Sequence, residues 1–126
     1  MEGWKYLGKS VRVVDGDTFV IELEKSLDFG FSMVVSFSVK QKLRLRGVNT
    51  PEVVGSQKEL GLKAKAAVES FFAMGVGPID VTTYKPDKYG RWLADVKIST
   101  KDGTVLDLAK WLLEQSIAEP YMADGG

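Results

Sequence analysis

The chain has 126 residues, enough to bury one real core and too few to divide into two domains. Its 44% hydrophobic and 27% charged residues are those of an ordinary folded globule, and the absence of cysteine and histidine excludes disulfides, thiolate or imidazole zinc sites, and Ser-His-Asp or Cys-His catalysis. Seventeen basic residues balance seventeen acidic ones, so any attraction for nucleic acid has to be local rather than a property of the whole surface. Chemistry is left to carboxylates, lysine, arginine, tyrosine or a hard metal ion.

From Ser10 to Leu23 two alternating runs flank Asp15-Gly16-Asp17, which predicts two strands joined by a tight turn. A second β-rich stretch, Ser32 to Val48, reads as one long strand, with Lys40, Lys42, Arg44 and Arg46 spaced two apart so that an extended chain puts all four on one face. Pro51, Gly55 and Ser56 then predict a loop. An amphipathic helix is expected from about Leu60 to Ala73, carried by Leu60, Ala64, Ala67, Val68, Phe71 and Phe72. Ile79 to Tyr84 and Trp92 to Ser99 read as a second hairpin through Lys85 to Arg91, with Gly90 supplying a positive φ. Lys101-Asp102-Gly103 turns the chain again, and Asp107 is placed to cap a helix through Leu108, Trp111, Leu112 and Gln115. The tail from Ser116 is expected to be mostly irregular, and Trp4, Tyr6, Phe71, Phe72, Trp92 and Trp111 are expected in the core. About five strands with a helix after the third and another near the end give an α+β class, compatible with a helix-capped OB-type barrel forming a single domain over residues 1–126. Met1 to Ser10 carry no apolar run of signal-peptide length and no stretch reaches membrane-span length, so the expected setting is cytoplasmic, or else that of an already processed chain, without membrane association.

Three short segments carry the chemistry. Asp15-Gly16-Asp17-Thr18 sets two carboxylates around a glycine; Arg44 to Glu52 places an arginine, an amide and a carboxylate at a strand end; and Asp87-Lys88-Tyr89-Gly90-Arg91 is a charged hairpin turn. Read singly, they are also an aspartate-stabilised turn, a solvated edge strand and an ordinary polar turn. Taken together, their order and spacing resemble the staphylococcal-nuclease (thermonuclease-like) family from Val11 to about Tyr121.

That resemblance implies a five-stranded OB-fold barrel of α+β class with two capping helices, and a calcium-dependent nuclease (phosphodiester hydrolase, an endonuclease in type) acting on DNA and RNA. By the same resemblance Asp17, Asn49 and the Thr50 carbonyl would be calcium ligands, Glu52 the general base, and Arg44 and Arg91 the clamp on the scissile phosphate. Lys88 and Tyr89 would lie along the bound nucleotide; apart from the resemblance, Tyr121 is a substrate-binding candidate as a ring that stacks on a base, with packing of the tail as the alternative reading. The implied cofactor is Ca2+, with another divalent ion such as Mn2+ as the alternative, and the implied partner is nucleic acid, single-stranded DNA or RNA above all, bound by a monomer. The donor chemistry agrees, because calcium takes carboxylate, amide and carbonyl oxygens, and arginine's planar fork bonds two phosphate oxygens at once.

Two departures qualify the match. Asn49 stands where the family usually carries aspartate, which removes a negative charge from the proposed metal site and opens a second reading, a catalytically weak or inactive nuclease-like module that binds nucleic acid or a protein partner. The stretch from Leu23 to Val35 is a longer insertion, resembling that of phage or bacterial members, in which Asp28 is expected to be structural.

Overall fold

The computed structural model describes residues 3–86, 88 and 90–121. Strand β1 (Trp4–Asp15) and strand β2 (Thr18–Asp28) form the first hairpin, closing with Asp15 opposite Thr18. The glycine of its turn is needed for space. A Cβ on Gly16 would lie 2.7 Å from Thr50 Oγ1 and 3.0 Å from Ala64 Cβ, so the turn is pressed against the rest of the domain. Strand β3 (Val34–Leu45) pairs antiparallel with β2 from Asp28↔Val34 to Thr18↔Arg44.

Strand β1 serves two neighbours in turn, pairing with β5 (Ile79–Tyr84) through Trp4 to Gly8 and with β2 as far as Asp15. Strand β6 (Trp92–Ser99) lies antiparallel to β5 and then meets β3 in parallel through Leu43↔Trp92, Arg44↔Leu93 and Leu45↔Ala94. That contact closes β1, β2, β3, β6 and β5 into a five-stranded barrel of OB type, so the α+β expectation holds. Strand β4 (Val48–Asn49) follows β3 directly, and β7 (Val105–Asp107) lengthens the sheet beside β6. The turn before β7 is fastened by Asp102, whose carboxylate accepts the Thr100 hydroxyl and then the Thr104 N–H (3.1 Å), which holds its carboxyl down at about 2.

Alternation along the strands fills the barrel with Phe19, Ile21, Leu23, Leu43, Leu45, Val81 and Val96, all fully buried. Each such side chain contributes about 1.5–3 kcal/mol by leaving water. One end is covered by helix α1 (Lys58–Ala73), which buries Gly61, Ala64, Val68 and Phe71, and by helix α2 (Leu108–Glu114), which buries Leu108 and Leu112. The helices meet through Phe71 and Trp111, ring centroids 5.2 Å apart. Asp107 caps α2 as expected, its carboxylate accepting the Lys110 N–H at 3.1 Å.

Several expectations need correction. Leu60 is exposed, because α1 starts at Lys58 and presents Gly61 and Ala64 inward instead. Trp4 and Trp92 are half-exposed and stack edge-on against each other at 6.2 Å outside the core, since they stand on β1 and β6, the strands that flank β5 on either side. The long strand expected from Ser32 to Val48 divides at Gly47, which has φ +85°. The tail is not all irregular: strand β8 (Glu119–Pro120) pairs with β4, and the Tyr121 N–H donates to the Gly47 carbonyl at 2.9 Å. Among the described residues no helix is long and apolar enough to cross a membrane.

Candidate active site

Arg44 occupies the last turn of alternation in β3, between the buried Leu43 and Leu45, and so points away from the barrel interior. It is nevertheless only 5% exposed, because the chain doubles back over it. Its Nη1 donates to the carbonyls of Leu45 (2.6 Å) and Val48 (2.8 Å), while Nη2 donates to Asn49 Oδ1 (3.2 Å) and lies 3.6 Å from Asp17 Oδ2. The Tyr121 ring sits with its centroid 5.5 Å from the guanidinium carbon, a cation–π contact. A guanidinium held on so many sides is fixed in direction, which is what charge stabilisation by a preorganised donor requires.

The Asp15–Thr18 turn fixes the loop beyond β4. Asp17, also buried, accepts the Thr50 N–H on Oδ2 at 2.9 Å and the Thr18 hydroxyl on Oδ1 at 3.1 Å. Asp15 accepts the Val53 N–H at 3.1 Å. Each carboxylate therefore ties down one end of the segment that carries Glu52. From the other side, α1 presses so closely that a Cβ on Gly61 would lie 1.9 Å from the Glu52 carbonyl oxygen and 2.2 Å from its carbon. The exposed Glu52 side chain is thus carried on a backbone fastened at three points.

One cleft of ≈ 460 Å³ is lined by Asp15, Asp17, Thr18, Arg44, Asn49, Glu52, Arg91 and Tyr121. Six of the nine site residues singled out from the sequence meet there, from segments far apart along the chain. Thr50 is buried behind the lining, its hydroxyl without a hydrogen-bond partner among the described residues. Lys88 is exposed and is not part of the lining, and Tyr89 lies outside the described residues. Asp15 was given no role by sequence reasoning, although it stands in the same motif as Asp17; its signal was adjacency, and only the loop it holds reveals its use.

The basic face expected on β3 is broken up. Lys40 and Lys42 are exposed, but Arg46 lies past the strand end and donates to both oxygens of Asp95 (2.9 and 3.3 Å), with its guanidinium 4.2 Å from the Tyr84 ring centroid. Asp95 also accepts the Tyr84 hydroxyl at 2.6 Å. The bend after Leu45 therefore separates Arg46 from Arg44 and commits it to a network beside β6.

As a cation site the cleft offers oxygen donors only, three of them carboxylates, the chemistry a hard divalent ion takes. Among the described residues no three acidic side chains converge closely enough to form a cage of their own, so an ion here needs the Asn49 amide or main-chain carbonyls as well.

The family model described as staphylococcal nuclease homologue matches residues 42–125. Among curated proteins, an uncharacterized protein of the archaeon Methanocaldococcus jannaschii, MJ1439, is 30% identical over 140 residues, covering 94% of this chain and 61% of the relative. The chain thus spans about three fifths of the length of the curated relative it matches.

Proposed function

The chain belongs to the staphylococcal nuclease homologue family, and from that premise we propose that its nuclease-like domain hydrolyses the phosphodiester bonds of DNA and RNA in a calcium-dependent reaction. The observation that carries this reading is the convergence of Asp17, Arg44, Asn49, Glu52 and Arg91 on one cleft, with Arg44 immobilised and Glu52 on a backbone held from three sides.

Arg44 and Arg91 bind the scissile phosphate, and their positive charge favours the more negative transition state over the ground state. Glu52 takes the proton of the attacking water. Asp17, Asn49 and the Thr50 carbonyl would hold the calcium ion, which supplies Lewis-acid polarisation of the phosphate. Tyr121, which lines the cleft, offers a ring on which a base of a single strand stacks. Lys88, which precedes Arg91 in the chain, lies along the nucleotide in this reading, with Tyr89 as the second such residue.

A second reading has one specific observation behind it. Asn49 Oδ1 accepts from Arg44, so a neutral amide stands where a charged ligand would bind calcium harder, and the domain would then bind nucleic acid or a protein partner with little hydrolysis. A cleavage assay on plasmid and single-stranded oligonucleotide, with calcium, manganese and chelator in parallel, separates the two. Cleavage with calcium that stops on chelation is expected. Undiminished cleavage in chelator, or none with either metal, overturns the proposed mechanism.

A further inference from the structure

The hairpin of β2 and β3 runs on past the residues it pairs with β1 as a two-stranded ribbon, whose Ser36, Phe37 and Ser38 still border an open cavity of ≈ 890 Å³ shared with β1, β5 and β6. Its register places Leu23 opposite Val39, Lys25 opposite Phe37 and Leu27 opposite Val35 on one face, and Glu24 opposite Ser38 and Ser26 opposite Ser36 on the other. The first face continues the barrel interior outward from the fully buried Leu23, yet Leu27, Val35 and Phe37 are open to solvent. The connection at the end adds Phe29 and a wholly exposed Phe31, closed by Asp28, whose carboxylate accepts the Gly30 N–H at 2.8 Å. From Phe29 to Val39 the sequence contains no charged residue and no proline.

One edge of the same segment also has no strand beside it among the described residues. β3 pairs with β2 along its whole length, but on its other side it meets β6 only at Leu43, Arg44 and Leu45. Among the described residues no strand pairs with that edge from Val34 to Lys42. Proteins ordinarily guard such an edge with charge, proline or a bulge, and none of these falls between Val34 and Val39. A lipid surface would cover the apolar side chains and leave the edge N–H and C=O groups without partners. A protein strand satisfies both at once.

We infer that the Val34–Val39 edge is the seat of a symmetric dimer, in which β3 of a second copy of this chain pairs with it antiparallel, in place of the monomer expected from the sequence. The self-complementarity of the segment argues for a second copy over a foreign strand. A two-fold axis at Phe37 sets Phe37 against its own counterpart and Val35 against the counterpart of Val39; on the other face Ser36 meets the counterpart of Ser38, and Val34 that of Lys40. On the face of Phe37 apolar residues meet apolar residues, on the other serine meets serine, and although Val34 meets a lysine at each end, no like charges face each other across an isologous interface of this kind. A standard interface takes about 800 Å² from each partner, a tenth of this chain's 7947 Å². The pairing lies on the ribbon and uses none of the residues lining the cleft.

Sedimentation equilibrium of the full chain, with no added ligand, tests this. A dimer is expected, and Phe37→Lys, which sets two cations against each other on the axis, should weaken it about a hundredfold while far-ultraviolet circular dichroism stays that of the folded protein. Because the chain has no cysteine, Phe37→Cys supplies a second measurement that does not depend on tolerance of a lysine. Mild oxidation should link two copies through it readily, whereas Phe31→Cys, which antiparallel pairing carries to opposite ends, should not link. A monomer at about 100 μM, where even a micromolar interface would be filled, overturns the inference. So do a dimer indifferent to Phe37→Lys, equal cross-linking at Phe31 and Phe37, or flotation of the monomer with neutral or anionic phospholipid vesicles through this ribbon.

Discussion

Gly61→Ala is the sharpest test of how Glu52 is positioned. The added Cβ would lie 1.9 Å from the Glu52 carbonyl oxygen, 2.2 Å from its carbon and 2.6 Å from the Val53 nitrogen, so the peptide has to retreat from 1.9 Å to the 3.4 Å of ordinary contact, a shift of about 1.5 Å. Backbone is on both sides of this contact, and no flexible side chain can yield. The retreat also pulls the Val53 N–H away from Asp15. Alanine in a helix interior gains about 0.5–1 kcal/mol over glycine, while overpacking costs about 1–3 kcal/mol, so a net loss of up to about 2.5 kcal/mol is expected. For a domain of this size that lowers Tm on the order of 4 °C per kcal/mol. If Glu52 is the general base proposed above, misplacing it by more than an ångström should reduce kcat about a hundredfold with KM little changed. Thermal unfolding and steady-state cleavage of an oligonucleotide read both effects. A variant with wild-type kcat and a raised Tm, the signature of helix propensity alone, would refute the claim that close packing at Gly61 sets the place of Glu52.

Other outcomes follow from the same geometry. Glu52→Gln should abolish turnover and leave unfolding free energy within about 0.5 kcal/mol, since the side chain is exposed; residual activity near wild type removes its role as base. Arg44→Ala should lose both activity and about 3–5 kcal/mol of stability, because it strands a buried Asp17 and two carbonyls, and denaturant titration at wild-type stability would contradict the burial argument. Asn49→Asp should tighten calcium binding about tenfold by restoring a charge, and calorimetry showing no change places the ion elsewhere. Burial, and next the bond to Asp95, raise the Tyr84 phenol above its usual 10.0, so the folded state favours the neutral ring. Its contribution is complete below pH 10.0 and is lost as pH rises through the raised value. Denaturation of Tyr84→Phe should accordingly lack the extra alkaline decline that the wild type shows; identical slopes would mean the phenol does not titrate differently on folding.

Elements whose signal is local can be read from the order of the residues alone. Strands Ile79–Tyr84 and Trp92–Ser99 were legible from alternation, the Asp107 cap from residue type and position, and the barrel class from the order of strands and helices. The three chemical segments were legible as well, because their residue types and spacing are specific once taken together. Local signals fail where an element is shorter than its own period. The two-residue strands β4 and β8 offer no alternation to read, and only the fold brings Glu119-Pro120 beside Val48-Asn49 and thereby lays Tyr121 against Arg44.

Tertiary structure alone decided what each charge faces. Arg44 and Arg46 are two residues apart with the same chemistry, yet one is buried in the cleft and the other is bound to Asp95, because the chain bends between them at the barrel closure. It decided likewise that Asp15 holds a backbone, that Gly16 and Gly61 are required for close approach, and that among the described residues no strand pairs with the outer edge of β3 from Val34 to Lys42. Periodicity reports which side of an element turns inward, since that depends only on neighbours along the chain. Which partner waits on the other side depends on contacts between residues distant in sequence, and these exist only once the barrel has closed.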